Sequence, residues 1–394
     1  MNIVPIDLSS NTIVKEFSNR INKFQHFLSL NKSPGLFLSD LSRDDLSYLS
    51  KIFRGKEKEN IYLLDDNKST NSVLLFGDLY KIDFLINNLS YNQFNSLLEE
   101  LRQTLYNYID YNDGRFTIGN KTFLMNDLTV MGILNVTPDS FSDGGKYFDR
   151  DKAIKHGLEM IDLGVDIVDV GGESTRPGAE LVDEKEELKR VIPVIEKLKT
   201  LRPEAIISID SSKSKIANEA LEAGAVLVND ISGLTFDEKM IEVVAKYNAA
   251  IVIMHIKGTP KEMQKNPVYK NVTAEVFQFL KKQTAKAIQA GIKNIIIDPG
   301  IGFGKRIIDN YELLHNLDSF KGIGKPILIG VSRKSFIGKV LNLDTGMREN
   351  ATKIAETYAS ERGAALIRTH NVKLALEAKL LLKYLRKPEE LING

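Results

Sequence analysis

Eight short apolar runs in the last two thirds of the chain limit its fold more than any other feature. They occupy 129–134, 166–170, 205–209, 225–228, 250–254, 294–297, 327–331 and 365–367. Runs of this kind suit strands buried on both faces, as in a parallel sheet. Helical stretches lie between them, and several end in a glycine just ahead of the next run, at Gly164, Gly224, Gly291 and Gly363. Eight strand–helix repeats suffice to close a sheet into a barrel. The expected fold class is α/β, a (β/α)8 TIM barrel, with an open doubly wound sheet as the alternative.

A barrel takes about 250 residues, and this chain has 394. The excess lies at the front, so a small α/β domain over 1–112 and a barrel domain over 113–394 are expected. In the front part Ile13, Val14, Phe17, Ile21, Phe24 and Leu28 recur at helical spacing, 36–38, 61–64 and 73–76 read as strands, and 91–111 as a long amphipathic helix. No constellation there suggests chemistry, so a docking or stabilising appendage is expected. Tyr111-Asn-Asp-Gly114 makes a turn-rich boundary. After it, 115–125 alternates around Gly119-Asn120 as a β-hairpin that could plug the lower mouth of the barrel.

The formal net charge is +1, which gives no bulk electrostatic reason to expect nucleic acid or a membrane as a partner. The absence of cysteine excludes disulfides, zinc thiolates, iron–sulfur clusters and a thiol nucleophile. The opening residues lack the basic start and apolar core of a signal peptide, and no run reaches the ~18 apolar residues of a membrane span. A soluble, cytoplasmic protein is expected.

Ligands of such barrels bind where the strands end. The polar residues at those breaks are Asn135, the loop 173–176, Asp210, Asn229 with Asp230, His255, Asp298, the run 332–335, and Arg368 with His370. Any one of them has a capping or turn role as its plain alternative; polar breaks at every strand end point to one ligand site. Two motifs fail. In Gly300-Ile-Gly-Phe-Gly304 the third glycine comes one residue too early for a dinucleotide fingerprint, and Pro299 stands where a Walker loop needs its first glycine. With no His-Glu-x-x-His segment and five histidines in all, a catalytic zinc or a serine triad has little support.

Seven segments in order carry a resemblance. They are 135–145, the stretch Gly-Gly-Glu-Ser-Thr-Arg-Pro-Gly over 171–178, Ser208-Ile-Asp210, Asn229-Asp230, Asp-Pro-Gly-Ile-Gly-Phe-Gly over 298–304, Gly-Val-Ser-Arg-Lys-Ser over 330–335, and Arg368-Thr-His370. Over about 115–385 the chain resembles the dihydropteroate synthases, folate-pathway enzymes that join a pterin to para-aminobenzoate. The resemblance implies condensation of 6-hydroxymethyl-7,8-dihydropterin pyrophosphate with 4-aminobenzoate to give 7,8-dihydropteroate and pyrophosphate, with Mg²⁺ as cofactor and a homodimer as the assembly.

It also implies roles. Asp298 takes two neighbouring pterin N–H donors, Asp210 and Asn229 complete the polar perimeter, and Lys334 donates to the ring acceptors. Met254 and Phe303 wall the ring, core packing being the other reading of Met254. Asn135 offers an oxygen to Mg²⁺ and stands with Arg368 and His370 at the pyrophosphate. Phe141, Thr175, Arg176, Pro177 and Ser335 belong to the 4-aminobenzoate site, whose two loops, 137–145 and 174–178, could fold over the centre. The catalytic groups are Asp210, Lys334 and Arg368, with Asp143 as an electrostatic or proton-accepting helper. No enzyme nucleophile is needed, nor a strong base, since an aromatic amine is unprotonated at neutral pH.

Four positions depart from the family pattern: Asn371 where Asp often follows the last His, Ser211 where Thr is common, and Ile256-Lys257 where Met-Arg is frequent. Two other readings stand beside the synthase, a methyltetrahydrofolate-binding methyltransferase partner and an inactive barrel kept as a binding protein.

Overall fold

The computed structural model describes residues 1–8, 17, 34–65, 71–89, 93–136, 146–174 and 182–391, without the side chains of 146–149. The helix expected over 12–30 and both long loops of the site therefore fall, almost entirely, outside the described residues. The chain divides into two compact units. One comprises Met1–Asn112, Tyr269–Gln278 and His315–Gly324; the other comprises Asp113–Val268, Phe279–Leu314 and Lys325–Gly394.

In the first unit, β1 (Asn2–Ile6), β2 (Gly35–Ser39), β3 (Ile61–Asp65) and β4 (Val73–Gly77) form an antiparallel sheet in the order β1-β2-β4-β3. Helix α1 (Arg43–Phe53) starts with a capping box: Ser42 Oγ accepts from Asp45 N, and Asp45 accepts from Ser42 N. Helices α2 (Leu79–Asn87) and α3 (Asn95–Ile109) follow. Their apolar stripes pack with the sheet in a core that includes Leu36, Leu38, Leu49, Phe53, Ile82 and Leu101. The helix expected over 91–111 is thus shorter, and Tyr111 belongs to a separate 3-10 turn. Strand β1 and helices α1 and α2 were not legible as elements, although Ser42-x-x-Asp45 was a usable start signal. A 3-10 helix from far along the chain, Leu317–Ile323, packs on β1 and α3. There Asn107 Nδ2 donates to Gly322 O at 3.0 Å.

The second unit opens with the hairpin β5 (Arg115–Ile118) and β6 (Lys121–Leu124). Gly119 turns it with φ +60°, and a Cβ there would lie 3.2 Å from Val226, just before a barrel strand begins. The hairpin tip therefore meets the N-terminal mouth.

The barrel strands are β7 (Thr129–Asn135), β8 (Ile167–Gly171), β9 (Ile207–Asp210), β10 (Leu227–Asp230), β11 (Ala250–Met254), β12 (Ile295–Asp298), β13 (Ile327–Ile329) and β14 (Ala364–Thr369). All pair in parallel, and β14 pairs with β7, which closes the barrel and rules out the open sheet. Every expected run holds a strand, with ends shifted by a residue or two; β13 stops before Gly330. Between the strands run α4 (Lys146–Asp162), α5 (Glu184–Leu201), α6 (Ser214–Glu222), α7 (Met240–Lys246), α8 (Val272–Gln289), α9 (Ile307–His315), α10 (Ser335–Leu341) and α11 (Glu349–Glu361), and α12 (Val372–Arg386) follows the last strand. Helix α5 shows why such segments are helical: Asp183 caps it, acids fill its first turn, and Glu187, Val191, Val194, Ile195 and Leu198 form one buried stripe. Gly164, Gly224, Gly291 and Gly363 take φ between +87° and +106°, the left-handed exit that a Cβ would strain. Among the described residues no helix is long and apolar enough to cross a membrane.

Candidate active site

Parallel register brings the polar strand ends together. Asn135 pairs with Gly171, Gly171 with Asp210, and Asp210 with Asn229, so four neighbouring strands end on one level. Asn135 and Asp210 are the last residues of their strands and Asn229 the last but one, rather than the first of the loops, because the ladder carries on through them. At Gly171 a Cβ would stand 3.5 Å from Asp210 Cβ and 3.8 Å from Asn135 Oδ1, so the missing side chain keeps the space between those two open.

Arg368, in β14, reaches across this level. Its Nε donates to Asp169 Oδ2 at 2.7 Å and its Nη2 to Asp210 Oδ2 at 2.6 Å. Asp169 Oδ2 also accepts from Asn229 Nδ2 at 2.9 Å. Asp169 is fully buried and was not among the expected site residues. Its signal was present, a lone acid inside the apolar run Ile-Val-Asp-Val. Desolvation raises the Asp210 carboxyl to about 7; Arg368 opposes that shift and Asp169 adds to it. Burial works against the charge on Arg368, but Asp169 and Asp210 outweigh it and hold the guanidinium above its usual range. Arg368 was expected to meet a pyrophosphate. Two of its nitrogens are spent on carboxylates, and Nη1 has no hydrogen-bond partner among the described residues.

Asp298 closes β12 beside Met254, its register partner on β11. Its Oδ1 accepts from Gly300 N at 2.7 Å, and Oδ2 has no hydrogen-bond partner among the described residues. Burial raises its carboxyl, with Lys334 and the Gly300 amide pulling the other way. The glycines after it serve close approach. A Cβ on Gly300 would lie 1.9 Å from His255 O, and one on Gly304 2.3 Å from Lys257 O, so the loop lies against the β11 exit. Lys305, buried, fastens the two by donating to Gly300 O at 2.8 Å, Phe303 O at 3.0 Å and His255 O at 3.3 Å. His255 Nδ1 is also 3.0 Å from Lys305 Nζ, so His255 is a partner within the frame.

Phe303 leans on an apolar cluster of Ile231, Met254, Ile256 and Met263, which joins two expected ring contacts in one wall. Lys334 Nζ stands 4.5 Å from the centre of the Phe303 ring and donates to Ile301 O. Desolvation lowers its ammonium to about 8 against the pull of Asp298. Arg333 before it takes φ +57°, a left-handed turn uncommon for a long side chain.

The remaining expected residues are less tightly gathered. His370 Nδ1 lies 2.9 Å from Ser332 Oγ. Ser335 is exposed at the start of α10. Asp230 turns out to be a turn residue, accepting from Ser232 N and Leu234 N. Asn371 caps α12 by accepting from Leu374 N at 3.2 Å, so that departure keeps the cap. Ser211 donates to buried Glu187 at 2.8 Å. Lys213 was missed: it binds Glu173, Glu187 and Val182 O, and so ties both stems of the loop after β8. Phe141, Asp143, Thr175, Arg176 and Pro177 lie outside the described residues. Among the described residues no three His, Asp or Glu side chains are grouped to hold a metal.

A (β/α)8 barrel with an apolar wall edged by carboxylates at the C-terminal ends of its strands is built for a flat heterocycle with polar edges, and the family match agrees: residues 131–370 match the family described as pterin binding enzyme. The chain is 46% identical over 261 residues to dihydropteroate synthase of Bacillus subtilis (strain 168), covering 66% of this chain and 89% of that one. It is 45% identical over 251 residues to the Escherichia coli (strain K12) enzyme of the same name, covering 63% and 88%. The solved Yersinia pestis dihydropteroate synthase, in complex with a sulfonamide drug, aligns with a TM-score of 0.65 at 39% identity, covering 69% of this chain and 99% of that one. The Xanthomonas albilineans enzyme in complex with 7,8-dihydropteroate aligns at 0.62 and 35%, covering 70% and 99%. The chain belongs to the pterin-binding enzymes and, within them, to the dihydropteroate synthases.

Proposed function

We infer that the chain condenses 6-hydroxymethyl-7,8-dihydropterin pyrophosphate with 4-aminobenzoate, releasing pyrophosphate and forming 7,8-dihydropteroate. The observation that carries this is Asp298 on the rim of the Met254–Phe303 wall, one carboxylate oxygen held by Gly300 and the other open to a ligand. A carboxylate so placed matches the adjacent N–H donors of a 2-amino-pyrimidinone edge. Asp210 and Asn229 meet the rest of that edge, and Lys334 donates to its acceptors.

The amine lone pair of 4-aminobenzoate attacks the methylene carbon on the pterin, and the carbon–oxygen bond to pyrophosphate breaks with its electron pair leaving on oxygen. Asp210 and Asp298 favour positive charge developing on the pterin, while Arg368 and His370 face the charge that departs. Asp143 takes up the amine's proton or favours its loss. The 4-aminobenzoate lies against Phe141, Thr175, Arg176, Pro177 and Ser335. Mg²⁺ fits the donor chemistry, since it binds through one or two protein oxygens with phosphate and water completing its shell. Asn135 offers one such oxygen at the mouth beside Gly171, and the bound ion would offset the charge of the pyrophosphate.

A homodimer suits the exposed apolar side chains of α10 to α12, Val340, Ile354, Leu381 and Leu385 among them. The methyltransferase-partner reading is not favoured by the relatives described above. The test is to incubate the protein with the pterin pyrophosphate and 4-aminobenzoate and to follow 7,8-dihydropteroate by chromatography. Product that requires both substrates supports the reading, and its absence with folded protein removes it.

A further inference from the structure

We propose that Asp169 is a positioning residue that decides which way round the Asn229 amide meets the pterin, a proposal that rests on the pterin reading above. Asp169 lies two residues before Gly171 on β8, so both face the barrel interior and Asp169 sits one layer deeper. In register it stands beside Ser208, whereas Gly171 stands beside Asp210. It is completely buried and acts through what it holds.

What it holds is chemically selective. A carboxylate oxygen only accepts, so an asparagine facing it must present nitrogen, and the 2.9 Å contact from Asn229 Nδ2 fixes the amide that way. One amide N–H is thereby spent, and the carbonyl oxygen is turned away from Asp169. An unanchored amide can rotate by half a turn and exchange oxygen for nitrogen. On a heterocycle edge where donors and acceptors alternate, that rotation would set donor against donor. The same Oδ2 holds Arg368 Nε at 2.7 Å, so amide and guanidinium share one anchor. Asp169 Oδ1 is buried without a hydrogen-bond partner among the described residues.

The test measures binding of bare 6-hydroxymethylpterin to the full-length protein by calorimetry, in the wild type, Asp169→Asn, Asn229→Ala and the double variant. Asp169→Asn keeps the shape but lets the facing amide turn either way. It should raise Kd about tenfold or more. In the Asn229→Ala background the same change should move Kd by less than about twofold, because the amide it orients is gone and Arg368, the other group it holds, faces the pyrophosphate that the bare pterin lacks. The KM for 4-aminobenzoate should not change. Equal losses in both backgrounds, or wild-type affinity in Asp169→Asn, overturn the proposal. A wild type that binds no pterin overturns the functional reading instead. Should Asp169→Asn not fold, the wild type labelled with ¹⁵N at asparagine decides, with Asn229→Ala assigning the signal. One side-chain amide proton of Asn229 should exchange slowly with and without pterin; rapid exchange of both contradicts the anchor.

Discussion

From Met1 to Asn112 the described buried side chains are almost all hydrocarbon, the polar ones being Ser72 and Thr104. The barrel unit buries Asp169, Glu187, Asp210, Asp230, Asp298, Lys305 and Glu356 as well as its apolar core. Burying a charge costs several kcal/mol unless it is paired, as an order of magnitude. A chain that tolerates this in one unit and avoids it in the other marks where its chemistry lies. The marking is not one-to-one: Asp230 only caps a turn, and Lys305 only ties two loops.

That contrast can be broken most forcefully at Arg368. Arg368→Ala strands two buried carboxylates and should cost about 3 to 5 kcal/mol of folding stability, read by urea unfolding. It should also weaken the pyrophosphorylated substrate far more than the bare pterin; equal weakening of both removes the pyrophosphate role. Asp298→Ala comes next. It should cost about 2 to 5 kcal/mol of pterin affinity by leaving ligand donors unsatisfied, and near-native calorimetric affinity would make that carboxylate structural. In the first unit, Leu49→Ala should cost about 2 to 5 kcal/mol of stability through a cavity, with kcat unchanged once folded protein is compared.

The smallest effect is a pH limb. Lys334 donates with the strength of a charge only as the ammonium, which is lost as pH rises through about 8. The kcat/KM for the pterin substrate should therefore fall about tenfold per pH unit above that point. Lys334→Arg should move the limb upward, whereas a profile flat into the ordinary lysine range contradicts the role.

The barrel was legible because its evidence repeats: eight apolar runs and glycines such as Gly164 and Gly363 each state the same rule, and errors were confined to strand ends. The site was legible where a polar residue interrupts an apolar run at its end, as at Asp210, Asn229 and Asp298. It was not legible where the polar residue lies inside a run, as with Asp169, or on a helix start, as with Lys213. Their significance comes from partners at 229, 368, 173 and 187, far off in sequence. The first unit was read least well. Its elements are short, and it takes in 269–278 and 315–324, which no local pattern announces.

The most direct measurement compares Asp298→Ala and Leu49→Ala side by side, recording melting temperature and 4-aminobenzoate-dependent pyrophosphate release for each below both transitions. The account predicts that Asp298→Ala loses turnover while staying folded, and that Leu49→Ala melts earlier yet turns over like the wild type. Full turnover in Asp298→Ala, or a folded but inactive Leu49→Ala, would contradict it.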